Sequence, residues 1–341
     1  MATRRKADSH CLGIESTADD FSVGILSFNG EILANEISMS MRETGGIHPR
    51  EAAKHHAEVA GKVLAEALQK AGIRQDEIKI MAFSQGPGLA PCLRTGATAA
   101  HALASYLQVP LVGVNHCVAH IEIGKLIKGA KDHVTLYVSG GNTIVAAFEA
   151  GRYRVFGETL DIAVGNCLDM FAREAGLRQK IGEPFGALVE KLVARGQNFV
   201  SLPYTVKGMD LSFSGLLTAA IELLQSRKYR LEDSYYSLQE VASSMLTEVR
   251  ERALAHTEKL KLLLTGGVAA NKWLQSMLES IAKEHNARFC VVPKQYALDN
   301  GAMIAWTGIL AYQHGLSTPI EKSFVRLKWR LDDVYAPWVG G

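Results

Sequence analysis

Leu12-Gly13-Ile14-Glu15-Ser16-Thr17 closes a short apolar run in small polar residues, and Val134-Thr135-Leu136-Tyr137-Val138 later runs into Ser139-Gly140-Gly141-Asn142-Thr143 in the same manner. After the first stretch, an apolar segment at 21–28, the pair Asn29-Gly30 and a segment at 31–37 read as strand, hairpin turn, strand. After the second, 144–149, a turn at Gly151 and 153–157 repeat the plan. Two copies of one strand–turn–strand–turn–strand unit, each opening a half of the chain, predict two similarly built lobes that face each other.

Between the units the period changes from two to 3.6. Ala52, His56, Val59, Val63, Ala67 and Ala71 recur at three and four, opened by Pro49 and closed by Gly72, which predicts a helix. A buried strand at 79–84, a small-residue helix at 93–107 and a strand at 110–114 follow. The second half is expected to carry helices at 168–175, within 214–226 and 236–258, after Asn271 and after Asp299, with strands at 260–264 and 287–292. Such alternation means an α/β architecture, with ligands favouring the cleft between lobes.

Composition narrows the class without naming it. Of 341 residues, 48% are hydrophobic and 21% charged, which excludes a disordered or fibrous chain. No run approaches the roughly 20 apolar residues of a membrane span. The basic start (Arg4, Arg5, Lys6) is followed by no apolar stretch, so no secretory signal is expected. Cysteines 11, 92, 117, 167 and 290 form no C-x-x-C pair, which predicts reduced thiols in the cytoplasm. A net charge of +2 is too mild to announce a nucleic-acid binder.

Four turns follow predicted strands: Glu15-Ser16-Thr17, Ser139–Thr143, Thr265-Gly266-Gly267-Val268-Ala269-Ala270-Asn271 and Asp299-Asn300-Gly301-Ala302. Adjacent amides at such turns form anion nests, and four of them in two matched halves point to a nucleotide, although any one alone is simply a turn. No P-loop is present, and Gly86-Pro87-Gly88-Leu89-Ala90-Pro91 lacks the last glycine of a dinucleotide fingerprint. In a helix, His116 and His120 share one face, as a metal site requires; two partly buried histidines without a metal fit the spacing as well. Cys117 stands where a zinc protease has its glutamate. Asp299, at a strand-to-helix corner, is the best placed carboxylate to complete a two-His-one-carboxylate set for Fe(II) or zinc. His55, His56 and His101 read as packing or supporting residues. Asp161 and Asp169 suit either ribose hydroxyls or helix capping. The tail 322–330 interleaves Lys322, Arg326, Lys328 and Arg330 with Phe324 and Trp329, a pattern open to RNA contact or to a solvated terminal face.

Taken together these residues resemble the universal tRNA threonylcarbamoyladenosine-synthesis family, the catalytic subunit of the KEOPS complex, once described as an O-sialoglycoprotein endopeptidase. The motifs are Gln85-Gly86-Pro87-Gly88-Leu89, Asn115-His116-Cys117-Val118-Ala119-His120-Ile121-Glu122, Tyr137–Thr143, Lys207-Gly208-Met209-Asp210-Leu211-Ser212-Phe213-Ser214-Gly215, Thr265–Asn271 and Asp299–Ala302. The stretch 207–215 looks like the archaeal and eukaryotic branch. The resemblance implies a two-lobed actin-like ATPase fold (sugar kinase, heat-shock protein, actin) with duplicated RNase H-like lobes. Residues 1–10 are then weakly ordered, 11–131 with 303–341 form the N-terminal lobe, and 132–302 form the C-terminal lobe.

It further implies transfer of threonylcarbamoyl from threonylcarbamoyl-AMP to N6 of the adenosine next to the anticodon, in tRNAs that read A-starting codons. Carried over residue by residue, metal ligands fall on His116, His120, Tyr137 and Asp299, of which His116, His120 and Asp299 are also the catalytic set. Nucleotide contacts fall on Tyr137, Val138, Ser139, Gly140, Gly141, Asp169, Gly186, Glu190 and Asn271. The expected cofactor is one divalent metal, Fe(II) ahead of Zn or Mg, with ATP- or AMP-type nucleotides binding beside it. Implied partners are tRNA, a small atypical kinase/ATPase subunit, a dimerising subunit and a tRNA-binding subunit, without a membrane. The segment 178–186 departs from many archaeal relatives, which weakens Gly186 and Glu190. A sugar kinase would share the clamp without needing the histidines; a metalloprotease would need them plus a glutamate base; a nucleotide-binding scaffold would keep the turns and tolerate loss of the metal.

Overall fold

The computed structural model describes residues 9–40, 47–177 and 190–339. Of the stretch expected to be weakly ordered, 1–10, only the last two residues are described, and the second of them, His10, already belongs to a strand. The first sheet contains β1 (His10–Glu15), β2 (Phe21–Ser27), β3 (Ile32–Ser38), β4 (Ile78–Gly86) and β5 (Leu111–Asn115) in the order β3-β2-β1-β4-β5. The second contains β6 (Val134–Val138), β7 (Thr143–Glu149), β8 (Arg152–Glu158), β11 (Lys261–Thr265) and β12 (Arg288–Val291) in the order β12-β11-β6-β7-β8. A two-residue hairpin, β9 (Val206–Lys207) and β10 (Asp210–Leu211), stands apart. In each sheet the first three strands pair antiparallel and the last two add in parallel. The repeat read from the two opening units is therefore a repeat of whole sheets.

Alternation along the strands decides what each face buries. Leu12 and Ile14 point to one side, against Val63 and Ala67 of α1 (Pro49–Ala71) and Ala97, Ala100 and Ala104 of α2 (Ala90–Leu107). Cys11, Ile80 and Ala82 point to the other, against Ala119 and Ile123 of α3 (His116–Lys128) and Met303 to Ala305 of a later helix. In the second sheet, Leu136, Val138, Leu262 and Leu264 face α4 (Val164–Glu174), α5 (Ser214–Gln225), α6 (Leu231–Thr257) and α7 (Lys272–Glu284). Tyr137, Ile144 and Leu263 face Cys117, Val118 and Ile121 of α3. The helix α3 thus packs against both sheets, and its nine residues His116 to Gly124 are all buried.

The later helix, α8 (Gly301–Gln313), crosses the first sheet with almost no side chain between the backbones. A Cβ on Gly24 would lie 2.2 Å from the Ala302 nitrogen, and one on Gly301 would lie 2.1 Å from the Gly24 nitrogen. Ser22 Oγ and Asn35 Oδ1 accept from the Gly301 and Ala302 amides at 2.7 and 3.1 Å, and Asn300 caps the helix through the Met303 amide. The helix expected at 168–175 begins earlier, at Val164, because glycine at 165 lets its first turn abut the Ser139 carbonyl, 2.5 Å from where a Cβ would be. No described helix is long and apolar enough to cross a membrane.

Close backbone packing makes Gly24 intolerant of a single methyl group. Gly24→Ala is expected to destabilise the fold by about 1–3 kcal/mol through overpacking, read from urea unfolding.

Candidate functional site

Asn115 ends β5 and caps α3 by accepting the Val118 amide at 3.1 Å, so His116 opens the helix and His120 follows one turn later on the same face. Asp299 arrives from the other direction, two residues before the start of α8. One ligand atom from each of His116, His120 and Asp299 lies within 4.8 Å of the others. His120 Nε2 is 3.1 Å and His116 Nε2 is 3.5 Å from Asp299 Oδ1. The imidazoles are buried, whereas the Asp299 side chain keeps 26% exposure and gives the cluster its solvent-facing side. Two nitrogens and a carboxylate oxygen this close together could hold a metal ion and leave positions open.

The surroundings fix the donors. His116 Nδ1 donates to Glu15 Oε2 at 3.0 Å, with Thr17 Oγ1 at 3.3 Å, so Nε2 is the nitrogen turned toward Asp299. A carboxylate behind a ligating imidazole is the usual outer partner of a metal site. Among the described residues His120 Nδ1 is buried without a partner, so the ring makes its polar contact on the Asp299 side. The Tyr137 hydroxyl is 3.3 Å from His116 Nε2, accepts from Asn142 Nδ2 at 3.3 Å, and the Tyr137 ring stacks on His120 at 4.7 Å. Burial works against charge on His116, yet Glu15 and Asp299 outweigh it and push the imidazole up to about 9. Burial lowers His120, which stays neutral. Desolvation would raise Asp299, but His116 and His120 bring it down to about 2. Burial, followed by the nearby Cys117 and Asp299, raises the Tyr137 phenol well above its usual range, so it is a neutral hydroxyl.

Two of the four turns are not anion nests. In Glu15-Ser16-Thr17 the Thr17 amide donates to Glu15 Oε1 at 2.6 Å. In Asp299–Ala302 the Gly301 and Ala302 amides are taken by Ser22 and Asn35. The remaining two lie side by side at the ends of parallel strands: a Cβ on Gly266 would be 2.2 Å from the Val138 carbonyl. Within the first of these, Ser139 donates its amide to the Asn142 carbonyl at 2.8 Å, and Ser139 Oγ accepts the Gly141 and Asn142 amides at 3.3 and 3.0 Å. A phosphate would take the Gly141 amide by displacing that hydroxyl. A Cβ on Gly140 or Gly141 would meet nothing within 4 Å, so the turn faces open space.

The other sequence-derived positions divide. Asn271 caps α7 through the Leu274 amide at 3.0 Å and donates to Gln239 at 2.9 Å; Glu190 accepts the neighbouring Lys272 amide at 3.2 Å, so these two meet at one helix start. Asp169 is exposed on α4, one turn beyond Gly165. Gly186 lies outside the described residues. Asp161 is a cap for α5: desolvation is outweighed by bonds from Ser212 Oγ and the Phe213, Ser214 and Ile162 amides, which bring it down to about 2. His55 bonds Ser38, His101 bonds Ser323 and His56 packs on Phe21, all as packing residues. Glu15 is the residue whose role the sequence misplaced. An ionisable side chain closing a wholly buried strand was the available signal, since such a group needs a partner.

The family model for TsaD, tRNA N6-adenosine threonylcarbamoyltransferase, matches residues 31–306. A tRNA N6-adenosine threonylcarbamoyltransferase of Thermofilum pendens is 54% identical over 96% of each chain. That of Thermococcus kodakarensis is 52% identical over 96% of this chain and 99% of its own. A bifunctional tRNA threonylcarbamoyladenosine biosynthesis protein of Methanothermobacter thermautotrophicus is 54% identical, and this chain spans 61% of its length. Among solved structures, the Thermococcus kodakarensis HypF matches with a TM-score of 0.61 at 13% identity, covering 90% of this chain and 48% of that one. Component A of the Acidaminococcus fermentans (R)-2-hydroxyglutaryl-CoA dehydratase matches at 0.56 and 15%, covering 88% and 98%. With the two matched sheets, these likenesses show the two-lobed actin-like ATPase fold.

The electrostatics set how protons and metal compete. Below about 9 the metal-free His116 holds a proton that metal binding must expel. Affinity for Zn(II) is therefore expected to rise about tenfold per pH unit between pH 6.5 and 8.5, with about one proton released, measured by calorimetry in buffers of different ionisation enthalpy. Replacing the carboxylate behind the ring, Glu15→Gln, is expected to weaken metal binding about 10–100-fold.

Proposed function

The chain belongs to the tRNA N6-adenosine threonylcarbamoyltransferase family, and on that premise we propose that it transfers the threonylcarbamoyl group of threonylcarbamoyl-AMP to N6 of the adenosine next to the anticodon, in tRNAs reading A-starting codons. The observation that carries this reading is a junction. Tyr137 touches the His116–His120–Asp299 cluster with its hydroxyl, and two residues later its strand ends in the open Ser139–Gly141 turn. Reacting carbonyl and departing phosphate need sites about that close together.

In the reaction the N6–carbonyl bond forms, the mixed-anhydride carbonyl–oxygen bond breaks, N6 loses a proton and AMP departs. His116, His120 and Asp299, with the Tyr137 hydroxyl beside them, would hold one divalent ion, Fe(II) ahead of Zn or Mg. Such an ion supplies Lewis-acid stabilisation worth several kcal/mol at a carbonyl or phosphoryl oxygen. Glu15 keeps the His116 ring in its working tautomer. The Ser139–Gly141 turn would receive the phosphate, and Asp169, Gly186, Glu190 and Asn271 the rest of the nucleotide. Adenine N6 is a poor nucleophile, so orientation in the cleft, worth about 7–11 kcal/mol, carries much of the rate. The target base lies in a single-stranded loop and enters without breaking a duplex.

The lobes of this proposal are residues 11–131 with 303–341 and residues 132–302. A net charge of +2 leaves little surplus for neutralising RNA phosphates, which favours work inside a cytoplasmic KEOPS-type assembly. Its other members would be a small atypical kinase/ATPase, a dimerising subunit and a tRNA-binding subunit.

The test is mass-spectrometric nucleoside analysis of tRNA incubated with the chain, those subunits, threonine, bicarbonate, ATP and the synthase that makes the adenylate. A threonylcarbamoyladenosine peak that disappears without the chain is expected; no peak from competent partners and adenylate would overturn the reading. His116→Ala, His120→Ala and Asp299→Asn are each expected to lower turnover at least about 100-fold. Unimpaired variants would overturn the role given to the cluster.

A further inference from the structure

Resting on that reading, we infer that Phe324, Arg326 and Lys328 form a stacking and phosphate-binding strip for single-stranded RNA beside the end of β4 and the start of α3. The strip is rigidly presented. Gln85, next to the last residue of β4, grips it twice: its side-chain nitrogen donates to the Phe324 carbonyl at 2.8 Å, and its own carbonyl accepts the Arg326 amide at 2.7 Å. Asn115, the residue before His116, donates to the Trp329 carbonyl at 3.1 Å. The first of these holds sits one residue from Gly86, where a Cβ would be 1.9 Å from the Arg326 carbonyl; Gly88 in turn abuts Thr17, which touches His116.

Burial alternates along the segment. Ser323 is buried and bonded to His101, and Val325 packs against the first-sheet core, so Phe324 and Arg326 are left facing out. Phe324 is 76% exposed, an unusual position for a phenylalanine that the chain holds by its backbone on both sides. The Arg326 guanidinium lies over the Trp329 ring at 4.1 Å, which keeps it flat with its other face toward solvent. Arg330 is committed to Glu158 and Asp332, whereas Lys322, Arg326 and Lys328 have no carboxylate partner among the described residues.

An exposed ring and a planar cation two residues apart, flanked by unpaired lysines, suit successive unstacked bases and their phosphates. A double helix, with its bases covered, offers the ring nothing. The occupant that fits is thus the single-stranded loop that carries the target adenosine.

Phe324→Ala and Arg326→Gln in the full chain test this in two assays. In the complete modification reaction, KM for tRNA is expected to rise about 5- to 150-fold in either variant, with KM for the adenylate and the metal content unchanged. An active variant with unchanged KM for tRNA overturns the strip and leaves the proposed reaction standing. If the wild-type chain modifies no tRNA, the reaction fails and the strip is judged by fluorescence anisotropy with a single-stranded oligoribonucleotide. There, Phe324→Ala is expected to bind more weakly, and Arg326→Gln to lower the slope of log affinity against log salt by about 0.7. Equal binding by wild type and variants, including no binding by any, overturns it. So does an equal loss toward duplex RNA of the same length, since that would be charge without stacking.

Discussion

Everything near the site depends on α3 being buried on all sides. A helix packed between two sheets cannot keep an amphipathic pattern, and His116 to Gly124 accordingly show no solvent face. Polar residues in such a helix must find partners, and each does so on a different element. His116 meets Glu15 at the end of β1, His120 meets Asp299 before α8, and Glu122 accepts from the Tyr153 hydroxyl at 2.6 Å and from Trp338 Nε1 at 2.9 Å. The need to satisfy buried polar groups therefore ties both sheets and the C-terminal segment to one helix. The His116–His120–Asp299 cluster lies on that helix and at its contact with the segment before α8.

The four-turn reading shows what a sequence conveys about such a place. A glycine or hydroxyl after a strand announces a turn, and all four turns are there. Whether the amides of a turn are free is decided by side chains far away in sequence. Ser22 and Asn35 on β2 and β3 consume the donors of Gly301 and Ala302, and no local pattern at 299–302 records it. Glu15 illustrates the same limit in reverse: its own carboxylate closes its turn and leaves its second oxygen for an imidazole on another element.

What was legible had a period or a fixed spacing. The duplicated strand units gave both sheets, and the i,i+4 histidines gave one face of α3. Asp299 was legible because a two-His set asks for a carboxylate at a corner. Strand ends shifted by a residue or two, as at β4 and β5, where long-range pairing rather than propensity sets the limit. The tail 322–330 was ambiguous between a solvated face and a contact surface because its alternation is set by Gln85, His101 and the first-sheet core, none of which is near it in sequence.

The chain passes from the first sheet to the second through α3, and returns from β12 to the first sheet through the segment that ends in α8. The two imidazoles ride on the first crossing and the Asp299 carboxylate on the second. The three donors therefore sit on the two connections between the sheets rather than within either sheet. The Ser139 and Gly266 turns, by contrast, are carried at strand ends of the second sheet alone. The three donors of the cluster thus hold their spacing only while both connections between the sheets are in place.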